Sequence, residues 1–172
     1  MLIWILIMLG SVIVDQISKL LVVRFLDPNE PLVILRGVFR FSYVENEGAA
    51  FGMLADQRWV FMVLSSVAIL ALLLYLWKWP PESKWACVAL SLVAGGGIGN
   101  MIDRVRLGYV VDFIDFYPIP EVWPWVFNVA DACVCVGGGA LFVWCLLEMI
   151  KEMRTQKTSK TECLEDVDEN KK

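Results

Sequence analysis

Four long apolar runs dominate the order of hydrophobic and polar positions, at about Leu2 to Phe25, Trp59 to Trp77, Trp85 to Ile102 and Phe127 to Leu147. A helix needs roughly 20 apolar residues to cross a hydrocarbon core. Each run therefore reads as a membrane span, and the chain as an all-α integral membrane protein with spans at about 2–25, 59–77, 85–102 and 127–147. The first run has no basic stretch before it and no small-residue cleavage site, and it is long, so it reads as a retained span rather than a removable signal peptide. Trp59, Trp77, Trp79, Trp85, Trp123 and Trp125 sit near the ends of these runs. An indole prefers the headgroup level there, which makes them anchors rather than ligand stackers. Between the first two spans, "VFRFSYV" sets Phe39, Phe41 and Tyr43 against Arg40, Ser42 and Val44. That period of two predicts a half-buried strand, part of a small β element on the outer membrane surface. Residues 151–172 carry six basic and six acidic residues and few apolar ones, the composition of a solvated, disordered tail. The expected organisation is one membrane unit, 1–150, followed by that tail; no internal repeat is visible.

Composition sharpens this picture. The chain has 172 residues and is 58% hydrophobic, too apolar for a soluble domain and suited to a protein whose surroundings are membrane lipids. A net charge of −4 without a basic stripe gives no reason to expect nucleic acid as a partner. Basic residues crowd "KEMRTQKTSK" after the last span and "KWPPESK" between the second and third. Both segments read as cytoplasmic, which puts both termini inside and the two larger loops outside. Arg24, Arg36, Arg40 and Arg58 in the first outer loop run against that rule. The five cysteines lack metal-ligand spacing and read as small apolar filler. There is no histidine. Ser-His-Asp and Cys-His sites and a His-ligated zinc are thereby excluded, and neither metal nor cofactor is expected. Hydrolytic chemistry would fall to carboxylates, or to a Ser–Lys site using Lys19.

Several polar residues interrupt the apolar runs. In "GGGIGNMIDR", Gly96 or Gly97, Asn100, Asp103 and Arg104 share one helical face. This face is either a close-packing seam ending in an Asp–Arg pair or a surface presenting Asn100 and Arg104 to a site. In "FNVADA", Asn128 and Asp131 are i, i+3 and face the same way. An acid about one turn inside the membrane edge marks a functional position. Asp15 and Lys19 form an i, i+4 pair with the acid first, read as a positioning element. "SYVENEGAAFGML" places Asn46, Gly48, two alanines and Phe51 where backbone could approach a ligand closely, although a turn would explain the glycine equally. In "YVVDFIDF", Asp112 and Asp115 point to opposite faces of a strand, so one of them would join Asp131, and spacing does not decide which. The topology gathers Asn46, Asn100, Arg104, Asp112, Asn128 and Asp131 at the outer face, as a site would. Two adjacent carboxyls cannot both ionise cheaply, and a pair holding one proton supplies a base for water and an acid for the opposing atom. Arg104 or an amide could steady an oxyanion.

"DQISK", "NEGAAF", "GGGIGNMIDRVRLGYVVDFIDF" and "FNVADA" together resemble, in order and spacing, the blocks of the bacterial lipoprotein signal peptidase (signal peptidase II) family. The resemblance runs from about Asp15 to Gly138. It implies an intramembrane aspartic protease of the bacterial cell inner membrane with a four-helix bundle and an extracytoplasmic β-cradle. Such a protease would cleave diacylglyceryl-modified prolipoproteins just before the lipidated cysteine and bind globomycin-type inhibitors. By position it places the catalytic pair on Asp112 and Asp131. Asn46, Gly48, Asn100, Arg104 and Asn128 would then line the site or contact substrate, and Asp15, Lys19 and Asp103 would support it. The family usually has Ser after the second catalytic Asp, where this chain has Ala132, a loss of at most an auxiliary hydrogen bond. The rival expectation is a proton- or ion-coupled transporter, for which intramembrane acids are equally typical. Against it stand the short chain, the absence of an inverted repeat and the one-sided gathering of acids. A non-catalytic membrane scaffold is the third possibility.

Overall fold

The computed structural model describes residues 2–48, 58–116 and 125–169. Helix α1 spans Leu2–Phe25 and is followed by strands β1 (Leu32–Leu35) and β2 (Phe39–Asn46). Helices α2 (Arg58–Lys78) and α3 (Lys84–Arg106) come next, then β3 (Val110–Phe116), β4 (Val126–Phe127) and α4 (Val129–Glu169). Among the described residues, Leu2–Phe25, Lys84–Arg106 and Val129–Gln156 are long and apolar enough to cross a membrane, while Met62–Lys78 of α2 is apolar but shorter. The protein is thus mostly helical, with three membrane-length helices and one small antiparallel sheet.

Local chemistry sets the breaks. Pro80 and Pro81 cannot continue α2, and Ser83 starts α3 by accepting a hydrogen bond from the Ala86 N–H. After α3, Gly108 takes a φ of 90°, a left-handed conformation that glycine adopts without strain, and the chain turns into β3. The helix α4 continues to Glu169, beyond residue 150 where composition reads as a solvated tail. Extending an already nucleated helix costs far less than starting one.

Helix α3 is the hub, packed against α4, α1 and α2. Its buried residues are mostly small, among them Ala86, Ala89, Ala94, Gly95, Gly96 and Gly99. Lipid tails are as apolar as leucine, so helices in a membrane associate through close packing and polar contacts, which small residues permit. Helix α1 fully buries only Asp15 and Lys19, and most of its leucines, isoleucines and valines are exposed. Trp59, Trp77, Trp79 and Trp85 are exposed at helix ends, as anchors would be; Trp123 lies outside the described residues.

The sheet has the order β1-β2-β3-β4, antiparallel throughout. It lies where α1 and α3 end and α4 begins, with β3 touching both α1 and α3. The predicted alternation in β2 holds only to Phe41. Phe41 pairs with Ile114 but Val44 pairs with Asp112, so β2 carries one extra residue there, a β-bulge. Beyond the bulge, Val44 and Asn46 face the same side as Asp112. Unbroken alternation would have put Tyr43 and Glu45 there instead.

Gly96 makes the tightest passage between α3 and α4, since a Cβ there would run into the Ala130 carbonyl oxygen and Val134. Backbone cannot yield as a flexible side chain does. Gly96→Ala is therefore expected to destabilise the protein by about 1–3 kcal/mol, read as a lower thermal midpoint in detergent.

Candidate active site

The site grows from the first turn of α4. The early N–H groups of a helix have no intrahelical partner, and α4 starts where the protein buries them. Asn128 stands at the N-cap, and its side-chain oxygen accepts the Asp131 N–H at 2.9 Å. Asp131 reaches back to accept the Asn128 N–H at 3.2 Å, closing a reciprocal capping box. The remaining Ala130 N–H donates to Asp15 Oδ1 of α1 at 2.8 Å. Asp131 is thus fixed by helix-start geometry, within the favourable field of the helix N-terminus.

Asp112 arrives from β3. The preceding Val111 N–H donates to Asp103 Oδ2 at 3.2 Å, tying the strand to the end of α3. Asp112 is almost fully buried. Its Oδ1 accepts from the Asn128 amide at 2.6 Å and its Oδ2 from the Asn46 amide at 2.8 Å. Asn128 therefore bonds both Asp112 and Asp131, and the two acids line one cleft. Burial pushes the Asp112 carboxyl up to about 6; the Asn46 amide opposes that rise, and the charge of Asp131 adds to it.

A polar cluster lies beneath. Lys19 Nζ sits 3.0 Å from Asp15 Oδ2 and 2.8 Å from Asp103 Oδ2, and donates to Asn100 Oδ1 at 2.9 Å. The Asn100 amide donates to Asp131 Oδ1 at 2.8 Å. A buried cation is tolerable only when so paired, and removing one partner of such a pair costs 3–5 kcal/mol. Among the described residues every buried side-chain nitrogen and oxygen has a hydrogen-bond partner.

The cleft holds about 1020 Å³. Its polar end carries Asn46, Gly48, Asn100, Arg104, Asp112 and Asp131. Its apolar end runs down between α2 and α4, past Ala68, Ile69 and Leu72 on one side and Val134 and Cys135 on the other. Arg104 is held by two backbone carbonyls, those of Asn100 and Gly48, both at 3.4 Å. Of the two expectations for this face, the Asp103–Arg104 pair does not form among the described residues; the Asp103 carboxylate meets Lys19, Gln16 and the Val111 N–H. The guanidinium is left on the cleft wall.

The structure brings together Asn46, Gly48, Asn100, Arg104, Asp112, Asn128 and Asp131, with Asp15, Lys19 and Asp103 one layer behind. It separates Asp115, which is buried on the opposite face of the sheet against Arg40 at 2.6 Å and the Ser42 hydroxyl at 2.8 Å. Ala49 and Phe51 of the "NEGAAF" block lie outside the described residues. Two residues were missed from the sequence. Gln16 bonds Asp15, Asp103 and the Gly99 carbonyl, a role that spacing alone does not signal. Trp125, read as a membrane anchor, lines the cleft beside β4; its place directly after Pro124 and ahead of an apolar pair was the available hint.

Comparison with known proteins gives this architecture a class. Two solved structures described as bacterial membrane enzymes share the fold. One has a TM-score of 0.78 at 29% identity, covering 85% of this chain and 88% of that one. The other has a TM-score of 0.72 at 30% identity, covering 83% and 92%. Residues 7–147 match the family described as Signal peptidase (SPase) II. The lipoprotein signal peptidase of Symbiobacterium thermophilum is 46% identical over 139 residues, 80% of this chain and 90% of that protein. That of Halalkalibacterium halodurans is 39% identical over 149 residues, 87% and 92%. The chain belongs to the signal peptidase II family.

Asp115→Asn tests the division between the two sheet faces. Loss of the buried charge against Arg40 is expected to lower stability by about 1–3 kcal/mol. Peptidase activity per folded molecule should stay within a few-fold of wild type. A loss of activity as deep as that of Asp112→Asn would show that the separation of the two acids is wrong.

Proposed function

We propose that this protein removes signal peptides from diacylglyceryl-modified prolipoproteins, cleaving before the lipidated cysteine with Asp112 and Asp131 as an aspartic catalytic pair. The observation that carries the reading is Asn128, which bonds both acids at the head of a cleft whose lower walls are apolar helix faces. Family membership supports the substrate class and leaves the transporter reading without support.

The chemistry follows from one shared proton. The ionised carboxylate takes a proton from water as the water oxygen adds to the scissile carbonyl, while the protonated partner donates to the carbonyl oxygen. Collapse of the tetrahedral adduct returns a proton to the leaving amine and breaks the C–N bond. Arg104, which among the described residues donates to the Asn100 and Gly48 carbonyls, faces the cleft and can steady the developing negative charge. Asn46 and Gly48 would meet the substrate backbone.

The membrane supplies part of the recognition. Each buried CH₂ of the diacylglyceryl group contributes about 0.8 kcal/mol to partitioning, which brings the scissile bond to the interface without a deep lipid pocket. In this arrangement α2 is the fourth span, both termini are cytoplasmic, and the cleft opens at the extracytoplasmic face among membrane lipids. Residues 1–150 form the peptidase unit and the remainder a cytoplasmic tail. A globomycin-type cyclic lipopeptide would compete for the cleft.

Purified protein in detergent, given a diacylglyceryl-modified prolipoprotein and followed by signal-peptide release on a gel, is expected to cleave it and to be blocked by globomycin. Asp112→Asn and Asp131→Asn should each lower the rate by at least about 1,000-fold, with unchanged elution on size exclusion. Cleavage that survives either change refutes the pair.

The pH dependence has a defined sign. The pair works with one proton bound, and Asp112 is pushed up to about 6, so rising pH strips that proton. The basic limb of kcat/KM, which reports the free enzyme, should fall past about pH 6. A flat profile from there to pH 8.5 would contradict it.

A further inference from the structure

The pair leaves open which acid carries the shared proton, and the layer behind it bears on that choice. An asparagine amide has nearly the same shape with its oxygen and nitrogen exchanged, so its neighbours decide its direction. A lysine ammonium only donates, and a carboxylate only accepts. Asn100 sits between one of each. Its Oδ1 faces Lys19 Nζ at 2.9 Å and also accepts the Asn128 amide at 3.1 Å. Its nitrogen is thereby directed to Asp131 Oδ1, at 2.8 Å. A donor aimed at a carboxylate oxygen favours the ionised form. The reversed amide would present an oxygen, which only a protonated Asp131 could meet.

We propose that Lys19 is a positioning residue that acts through Asn100 to favour the ionised form of Asp131, so that this acid can serve as the base of the pair. That role in the reaction rests on the proposed aspartic mechanism. The orientation of Asn100 does not, and can be measured separately.

The charged groups around Asp131 are Asp15 and Lys19 from α1, Asp103 and Arg104 from α3, Asp112 from β3, and Glu45 and Glu47 at the cleft mouth. Lys19 lies against two carboxylates that offset part of its field at Asp131, so a charge-neutral change is needed to separate that field from the direction of the amide. Its effect passes through the direction of the amide. Removing the ammonium leaves Asn100 Oδ1 with the Asn128 amide but without its charged donor, which weakens the hold on the direction of the amide.

The test is a pair of variants. Lys19→Met combined with Asp15→Asn removes one charge of each sign, keeps an oxygen for the Ala130 N–H, and leaves the local net charge unchanged. Lys19→Met combined with Asp103→Asn, which also removes one charge of each sign and keeps an oxygen for the Val111 N–H, is read in the same way should the first double variant fail to fold. Infrared titration in detergent follows the protonated-carboxyl band that Asp131→Asn abolishes. In both variants that band is expected to appear about one pH unit higher than in wild type, a tenfold change in the proton equilibrium. The acid limb of kcat/KM should move toward neutral by the same amount, so the wild-type to variant ratio grows as pH falls and approaches tenfold only below the wild-type acid limb. A purely structural Lys19 would lower activity equally at every pH and leave the band in place. That outcome overturns the proposal. The infrared readout needs no substrate, so a protein that fails to cleave prolipoprotein refutes the proposed function while the relay is still decided.

Discussion

The start of α4 is the constraint from which the site follows. In a low-dielectric interior an unpartnered N–H costs as much as a lost hydrogen bond, and water is not at hand to satisfy it. Asn128 and Asp131 meet that demand from within the helix, and Asp15 meets it from α1. Once Asp15 is committed to the Ala130 N–H, its second oxygen calls for a cation, which Lys19 supplies. Lys19 in turn draws in Asp103 and Asn100. Capping one helix thus organises the polar interior around the acids that line the cleft.

The same economy extends to the sheet. Asp103 binds both Lys19 and the Val111 N–H, so the contact that neutralises a buried ammonium also anchors the strand carrying Asp112. The bulge in β2 then selects which side chain meets that acid. With it, the neutral amide of Asn46 faces Asp112; without it, Glu45 would turn to the same side and add a like charge to a buried carboxyl. One extra residue in a strand changes the electrostatics of the site.

The apolar half of the architecture was legible because bilayer thickness imposes a length that shows directly in sequence. The gathering of Asn46, Asn100, Arg104, Asp112, Asn128 and Asp131 was legible for a related reason, since the order of spans and loops puts those segments at one end of the helices. Other features were not. The second helix, expected as a span like the others, is shorter in its apolar stretch among the described residues. Of the two readings of the Asp103–Arg104 face, a closing pair or a surface offered to a site, the second fits, with Asp103 turning to α1 and Arg104 to the cleft. Gln16 and Trp125 gave no periodic signal, because their partners lie on other elements.

By itself the sequence determined the apolar helices, the absence of histidine chemistry, and the cap that holds Asn128 to Asp131, all set by residues within a turn or two of each other. Only the tertiary structure decided that Asp112 rather than Asp115 joins Asp131, that Asn46 rather than Glu45 faces it, and that Lys19 reaches Asn100 across 81 residues. Those choices depend on register and helix packing, where a shift of one residue reverses the face a side chain presents, and no local preference carries that information.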